Sequence, residues 1–217
     1  MKRLISLGMN CEVSFQIKKY CPSLYASLFS WAFVINDDLF LQALDNIDDV
    51  FSNGVHFHLP TDDMFMDEKY QITFHGRTSK LDMLDKEGNI VNREKYDEAL
   101  DELISRLAHL KSKFKTDLMS ADEKVYIKKI MIEPSLEEWG GEAHLFEIIC
   151  SLKKYFSEYS SNSTLVVVVE KKYLSDSILK LEDKNCKIRC VNFWAPVSDT
   201  QYGADNESWE KIIKEFM

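Results

Sequence analysis

The sequence predicts an α/β domain whose mainly parallel sheet carries helices on both faces, with a small antiparallel insertion around residues 55–91. From about residue 93 onward, helical and strand patterns alternate, which is typical of parallel strands joined by crossover helices. Leu165 to Val169 is an unbroken apolar run, as expected for a strand that is buried on both faces. The 217 residues include only four prolines and seven glycines, so we expect one α/β domain over residues 1–217.

The N-terminal part is predicted to start with a strand, a turn and a helix. Residues 4–7 have the pattern of a short buried strand, Gly8 and Asn10 interrupt it, and Glu12 to Tyr20 has helical periodicity. The elements predicted next are an apolar segment at 27–35, a helix from about 37 to 50, strands at 55–59 and 70–75, and a hairpin at 81–91.

The C-terminal part contains the clearest helical pattern. Tyr96, Leu100, Leu103, Leu107 and Leu110 recur at four- and three-residue spacings with charged residues between them. The elements predicted after it are a strand at 125–132, a helix at 145–156, the strand at 165–169, a short helix near 178–181, a strand at 188–193 and a helix at 207–216.

Composition and charge exclude several classes of partner. With 36 acidic against 27 basic residues, the formal net charge is −9, and basic residues do not cluster with aromatic ones. We therefore expect neither nucleic acid nor an anionic membrane surface as a partner. No apolar run approaches the length of a membrane span, and the N-terminus lacks the features of a secretory signal, so a cytoplasmic location is predicted.

The five cysteines are odd in number and irregularly spaced, which argues against a disulfide framework. The sequence has no Gly-rich phosphate loop, H-E-x-x-H or C-x-x-C motif, so we predict no cofactor and no metal. His56 and His58 could share a metal ion, but only the acidic residues 62–63 lie nearby at ligand spacing. Cys186 and Cys190 lack the second pair of ligands that a zinc site needs.

Cys11 is the principal candidate for chemistry. It follows the first predicted strand, and ligands of open parallel sheets bind beyond the C-terminal ends of strands. It also lies near a helix N-terminus, where free backbone N–H groups favour a nucleophilic thiolate. The alternative is a small buried hydrophobic residue that happens to begin a helix. Asn10 could donate a hydrogen bond to an oxyanion, cap the helix, or do both.

A cysteine nucleophile usually needs a base, and His75 is the best placed because it ends a predicted strand. The group that would orient its imidazole stays open among acidic residues at strand ends, which are Glu133, Glu170, Asp199 and Asp205. Trp194 ends the last predicted strand, and we expect it to line a substrate pocket together with Trp31, Ser30 and Arg77.

Several short motifs resemble those of a bacterial family of papain-like cysteine peptidases, a domain of unknown function. Ser6 to Cys11 resembles the family's S-L-G-x-x-C opening, Phe29-Ser30-Trp31 its F-D-W motif, and the segment ending in Phe74-His75 its F-x-H motif. The resemblance spans most of the chain and implies that Cys11 is the nucleophile and His75 the base. It also implies a papain fold, whereas the pattern of the sequence predicts a parallel α/β sheet.

Two departures from this resemblance affect the expected activity. Ser30 stands where the family motif has an acid, and Gly76 stands where an acid after the histidine would be expected. If either acid orients the base, its role is vacant here or is filled by another residue. A vacant role would make the chain a weakened or inactive member of the family.

Three hypotheses follow. The first is a cysteine hydrolase of acyl or peptide bonds that uses Cys11, His75 and Asn10 on a small-molecule, peptide or glycan substrate. The second is an acyltransferase of surface-polysaccharide biosynthesis that takes its acyl group from acyl-coenzyme A, a class weakly resembled through Asn10-Cys11. The third is a non-catalytic module that binds a glycan or another partner, which the missing acids at positions 30 and 76 favour.

Overall fold

The computed structural model describes residues 2–22, 26–52, 54–130, 141–195 and 201–217. The helices are α1 (Glu12–Tyr20), α2 (Asp37–Asp45), α3 (Arg93–Met119), α4 (Gly141–Tyr159), α5 (Asp176–Leu179) and α6 (Asn206–Phe216). The strands are β1 (Arg3–Ser6), β2 (Ala32–Val34), β3 (Val55–Phe57), β4 (Met64–Asp67), β5 (Ile72–His75), β6 (Lys124–Lys129), β7 (Ser163–Glu170) and β8 (Cys186–Val191).

The larger sheet is parallel and has the order β1-β6-β7-β8, which confirms the predicted α/β class. Successive residues of its strands point to opposite faces. Tyr126 packs on the face that α3 and α4 cover, whereas Val125 and Ile127 pack on the face that α1 and α6 cover. None of the helices in the described part of the chain is long and apolar enough to cross a membrane.

The smaller sheet is antiparallel, with the order β2-β5-β4-β3, and it spans residues 32–75 rather than the predicted 55–91. Its strand β4 was not predicted. The sheet begins earlier because β2 pairs with β5, and it ends earlier because residues 81–91 form no hairpin of two strands. Instead, Lys80–Asp82 is a 3₁₀ turn and one bridge joins Leu84 to Ile90. The carboxylate of Asp85 accepts backbone hydrogen bonds from Glu87 and Asn89, which closes this loop locally.

The turn after β1 connects the two sheets. Met9 forms a parallel bridge with Phe33 of β2, and its carbonyl accepts a hydrogen bond of 3.0 Å from the backbone N–H of Val34. Because β2 pairs with β5, this contact brings the end of β5 to the C-terminal edge of the parallel sheet. The residues that follow β1 and those that end β5 therefore lie side by side.

This turn needs two consecutive residues with positive φ, Gly8 at 77° and Met9 at 104°. A Cβ atom on Gly8 would lie 3.0 Å from the carbonyl oxygen of Phe29. Glycine is therefore required at position 8 both by its backbone conformation and by the close approach of a neighbouring chain segment. Backbone strain of this kind persists where the surrounding structure holds it in place.

We expect Gly8→Ala to lower the free energy of unfolding by about 1–3 kcal/mol, because the new Cβ is strained and also crowds Phe29. Gly54→Ala is the matched control, since Gly54 also has a positive φ, of 65°, but its nearest neighbour would be 3.5 Å from the new Cβ. Urea unfolding of both variants measures the difference. Equal losses in the two variants would contradict the close approach at Gly8.

Candidate active site

Cys11, His75 and Asp63 form a continuous chain of contacts. Sγ of Cys11 lies 3.4 Å from Nε2 of His75, and Nδ1 of His75 lies 2.9 and 3.0 Å from the two carboxylate oxygens of Asp63. An ionised carboxylate only accepts hydrogen bonds, so Nδ1 carries the proton that it donates to Asp63. Nε2 then faces the thiol as an acceptor, which is the arrangement of a nucleophile, a base and an orienting acid.

The pairing of β4 with β5 sets the position of Asp63. Met64 lies opposite His75 in this register, and the backbone N–H of Gly76 donates a hydrogen bond of 2.5 Å to the carbonyl of Asp63. Asp63 is therefore held directly beside His75 by the sheet itself. Arg106 of α3 donates a hydrogen bond to the carbonyl of His75 and secures the other side of the strand end.

Asp63 was not among the acids predicted to orient the base, because β4 was not recognised. The sequence pattern suggests Asp63 only as a metal ligand near His56 and His58. A predicted hairpin that pairs residues 64–67 with residues 72–75 would have identified Asp63, because this pairing places position 63 next to His75 at the end of its strand.

The acids that were predicted for this role lie elsewhere or outside the described residues. Glu170 forms an ion pair of 2.9 Å with Lys172, and Asp205 caps α6 through the backbone N–H of Ser208. Glu133 and Asp199 fall outside the described residues. Among Asp63 and the described acids just named, only Asp63 has its carboxylate in contact with the imidazole of His75.

The surroundings of Cys11 oppose the thiolate that its helix position predicts. Cys11 occupies the N-cap of α1, but its side chain makes no hydrogen bond to the helix amides. Burial raises the pKa of the Cys11 thiol to about 11, and the negative charge of Asp63 raises it as well. This raised pKa favours the neutral thiol over the thiolate at neutral pH, and Nε2 of His75 is the side-chain acceptor that Sγ contacts.

Asn10 directly precedes Cys11, and only the oxygen of its side-chain amide has a hydrogen-bond partner among the described residues. The side chain is 5% exposed, and its Oδ1 accepts a hydrogen bond of 3.1 Å from the backbone N–H of Glu12. Within the part of the chain that the structure describes, the buried Nδ2 has no hydrogen-bond partner. An unpaired buried donor is costly, so such a group is a candidate for stabilising an oxyanion.

No protein-family model, curated protein or solved structure matches this chain. The chemistry of the site is therefore inferred from its own geometry.

A cleft of about 420 Å³ opens beside the imidazole. His75 and Phe74 of β5 form one wall, Trp31 and Leu28 form a second, and α3 forms the third. A larger cleft, of about 550 Å³, lies at the N-terminal ends of β7 and β8, where Ser163 and Cys186 line it. It is therefore at the edge of the parallel sheet opposite to Cys11.

The four residues expected to bind substrate are dispersed. Trp31 lines the cleft beside His75 and packs edge-on against Phe15. Ser30 is fully buried, and its hydroxyl accepts a hydrogen bond of 2.8 Å from the backbone N–H of Ser27, so the structure does not bring it to the cleft surface. The other two lie outside this cleft: Arg77 is exposed and pairs with Glu102 at 2.5 Å, and Trp194 packs under the ammonium group of Lys129.

His56 and His58, the two histidines that could share a metal ion, have different surroundings. Nδ1 of His56 lies 3.1 Å from a carboxylate oxygen of Glu68. The pKa of His58 is lowered, first by burial and then by the charge of His56. Among the described residues, no group of three or more histidine, cysteine or acidic side chains is arranged to hold a metal ion.

A buried polar cluster supports the start of α1. Glu12 and Lys129 are both fully buried and form an ion pair. The other carboxylate oxygen of Glu12 accepts a hydrogen bond of 2.7 Å from the indole N–H of Trp209, and the backbone N–H of Ala195 donates to the same carboxylate at 3.3 Å. This cluster joins α1 to β6 and α6, and so fixes the residue next to Cys11.

Proposed function

We propose that this chain is a cysteine-nucleophile hydrolase of acyl bonds, in which Cys11 attacks, His75 transfers the proton and Asp63 orients the imidazole. The observation that carries the proposal is the chain of contacts from Sγ of Cys11 to Nε2 of His75 and from Nδ1 to Asp63. These three groups have the types and order of contacts that acyl transfer requires. The resemblance to papain-like cysteine peptidases supports the same roles for Cys11 and His75.

In the first half of the reaction, Sγ forms a bond to the carbonyl carbon while its proton passes to Nε2 of His75. The carbonyl electron pair moves onto oxygen, and our candidate donor to that oxygen is Nδ2 of Asn10, which is buried and has no hydrogen-bond partner among the described residues. When the intermediate collapses, the bond to the leaving atom breaks and that atom takes the proton from Nε2. The product is a thioester on Cys11. Asp63 stays ionised and stabilises the imidazolium that forms in between.

In the second half, a water molecule attacks the thioester carbon and gives a proton to Nε2. The bond from carbon to sulfur breaks, the acid is released, and the thiol regains the proton. An acyltransferase would share the first half and replace water by an acceptor hydroxyl. The acceptor therefore separates hydrolysis from the alternative proposal of acyl transfer onto a polysaccharide.

We expect p-nitrophenyl acetate to acetylate Cys11, with release of nitrophenolate, because Nε2 of His75 lies 3.4 Å from Sγ and can accept the thiol proton as the ester carbonyl is attacked. Peptide mapping by mass spectrometry locates the acetyl group, and absorbance gives the rate. Cys11→Ala should abolish the enzymatic release, whereas Cys21→Ala should preserve it, since Cys21 lies at the other end of α1.

Acetylation at another cysteine, or equal release by Cys11→Ala, would overturn the proposal. Acetyl-coenzyme A supplied with and without oligosaccharides distinguishes the transferase. If sugars accelerate loss of the acetyl group from Cys11 and become acetylated, the acceptor is a sugar hydroxyl rather than water. Binding of oligosaccharides without any acylation of Cys11 would support the non-catalytic alternative.

A further inference from the structure

The cleft of about 420 Å³ is adjacent to only one of the two residues, Cys11 and His75, that would react with a substrate. Among the described residues, His75 lines it, and Cys11 does not. The cleft therefore opens on the imidazole side of the contact between Sγ and Nε2. Its volume lies within the range of small-molecule pockets, roughly 300–1,000 Å³.

The walls of this cleft are mainly apolar. Leu28, Trp31 and Phe74 face Leu107 and Leu110 of α3 across it. Among its described lining residues the ionisable groups are basic, namely His75, Arg106 and His109, and no carboxylate is present. A cationic group would meet no opposite charge there, whereas an uncharged apolar group would contact most of the wall.

We propose that this cleft binds an apolar leaving group of the substrate, which rests on the proposed function. In that reaction the imidazolium returns its proton to the leaving atom, so the leaving group must lie against His75 rather than behind Cys11. The cleft is the concave apolar surface at that position. The enzyme would then select its substrate by an uncharged alkyl or aromatic group on the amine, alcohol or thiol that departs, and less by the acyl group.

Two series of thioesters separate the two sides of the scissile bond. In the first, S-ethyl, S-butyl and S-hexyl thioacetate change the leaving thiol at nearly constant thiol acidity. In the second, the S-ethyl thioesters of acetic, butanoic and hexanoic acid change the acyl group. We expect kcat/KM to rise by about twofold to fourfold for each added methylene in the first series. In the second series we expect little change.

Matched variants of α3 test the location of the effect. Leu110 and Leu100 are both partly buried and pack against the same core, but only Leu110 lines the cleft. Leu110→Ser should flatten the chain-length dependence of the first series, and Leu100→Ser should retain it. A dependence confined to the acyl series, or a slope unchanged in Leu110→Ser, would overturn the inference while leaving the proposed hydrolase intact.

A binding measurement tests the cleft without turnover. Hexanol, which resembles the departing group, should bind the Cys11→Ala protein in saturation-transfer NMR. Adding Leu110→Ser should weaken this binding, and adding Leu100→Ser should not. If no thioester acylates Cys11, the proposed function fails and the assignment of a leaving group to the cleft fails with it. If acylation occurs but hexanol binding is absent or is insensitive to Leu110→Ser, only the cleft inference fails.

Discussion

Asp63→Asn is expected to lower the rate of Cys11 acylation by p-nitrophenyl acetate by roughly 10²–10⁴-fold. An asparagine amide cannot stabilise the imidazolium by charge, and its N–H₂ group can hold His75 in the tautomer that points a proton at the thiol. The matched control is Asp62→Asn. Asp62 is the exposed neighbour, and its carboxylate pairs with Lys80 at 3.2 Å instead of with His75. Its replacement should leave the acylation rate within about twofold of the wild type.

Asp63→Asn should make Cys11 more reactive toward iodoacetamide, although it slows the acylation of Cys11 by the ester. The charge of Asp63 contributes to the raised pKa of the Cys11 thiol, so its removal should lower that pKa from about 11. Labelling by iodoacetamide, which depends on the thiolate, should then begin at lower pH in Asp63→Asn than in the wild type. Labelling that begins at the same or a higher pH in Asp63→Asn than in the wild type would contradict this effect of the Asp63 charge on the thiol.

Glu12→Gln is expected to lower the free energy of unfolding by about 3–5 kcal/mol, because it leaves the fully buried ammonium group of Lys129 without its counter-ion. Burial already lowers the pKa of Lys129, and Glu12 is the opposite charge that favours its protonated form. The matched control is Glu207→Gln, which breaks an exposed ion pair of 2.8 Å with Lys211 on the surface of α6. It should cost less than about 1 kcal/mol.

Urea unfolding of both variants gives the two free energies. Adding Lys129→Met to Glu12→Gln should recover part of the loss, since the uncompensated charge is then removed. A loss in Glu12→Gln no larger than in Glu207→Gln would show that the buried cluster contributes little to stability. No recovery in the double variant would show that the lost hydrogen bonds, rather than the charge, carry the effect.

Helices and strands could be predicted where the sequence of the element itself has a distinctive pattern. The leucine spacing of α3 and the apolar run of β7 predict a helix and a buried strand whatever lies around them. β4 was not predicted because Met64–Asp67 is only four residues long and follows an irregular polar segment. Its identity as a strand depends on hydrogen bonds to β3 and β5, which no local pattern encodes.

The candidate site also contains residues that could be predicted from their own segments and one that could not. Cys11 and His75 were found because each lies at the end of a predicted strand, a property of its own segment. Asp63 was missed because its contact with His75 depends on the register of β4 against β5. The expected thiolate is opposed for a related reason, since helix position is local but the burial that raises the pKa of Cys11 is imposed by distant segments.

The amino-acid pattern was enough to predict the α/β class, the helices with strong periodicity and the positions of a cysteine and a histidine at strand ends. That these two side chains meet across 64 positions of the chain, with Asp63 beside His75, became evident from the folded chain. Periodicity and turn chemistry act within a segment. The Met9–Phe33 bridge, the sheet register and the burial of Cys11 instead arise from residues that become neighbours only when the chain folds.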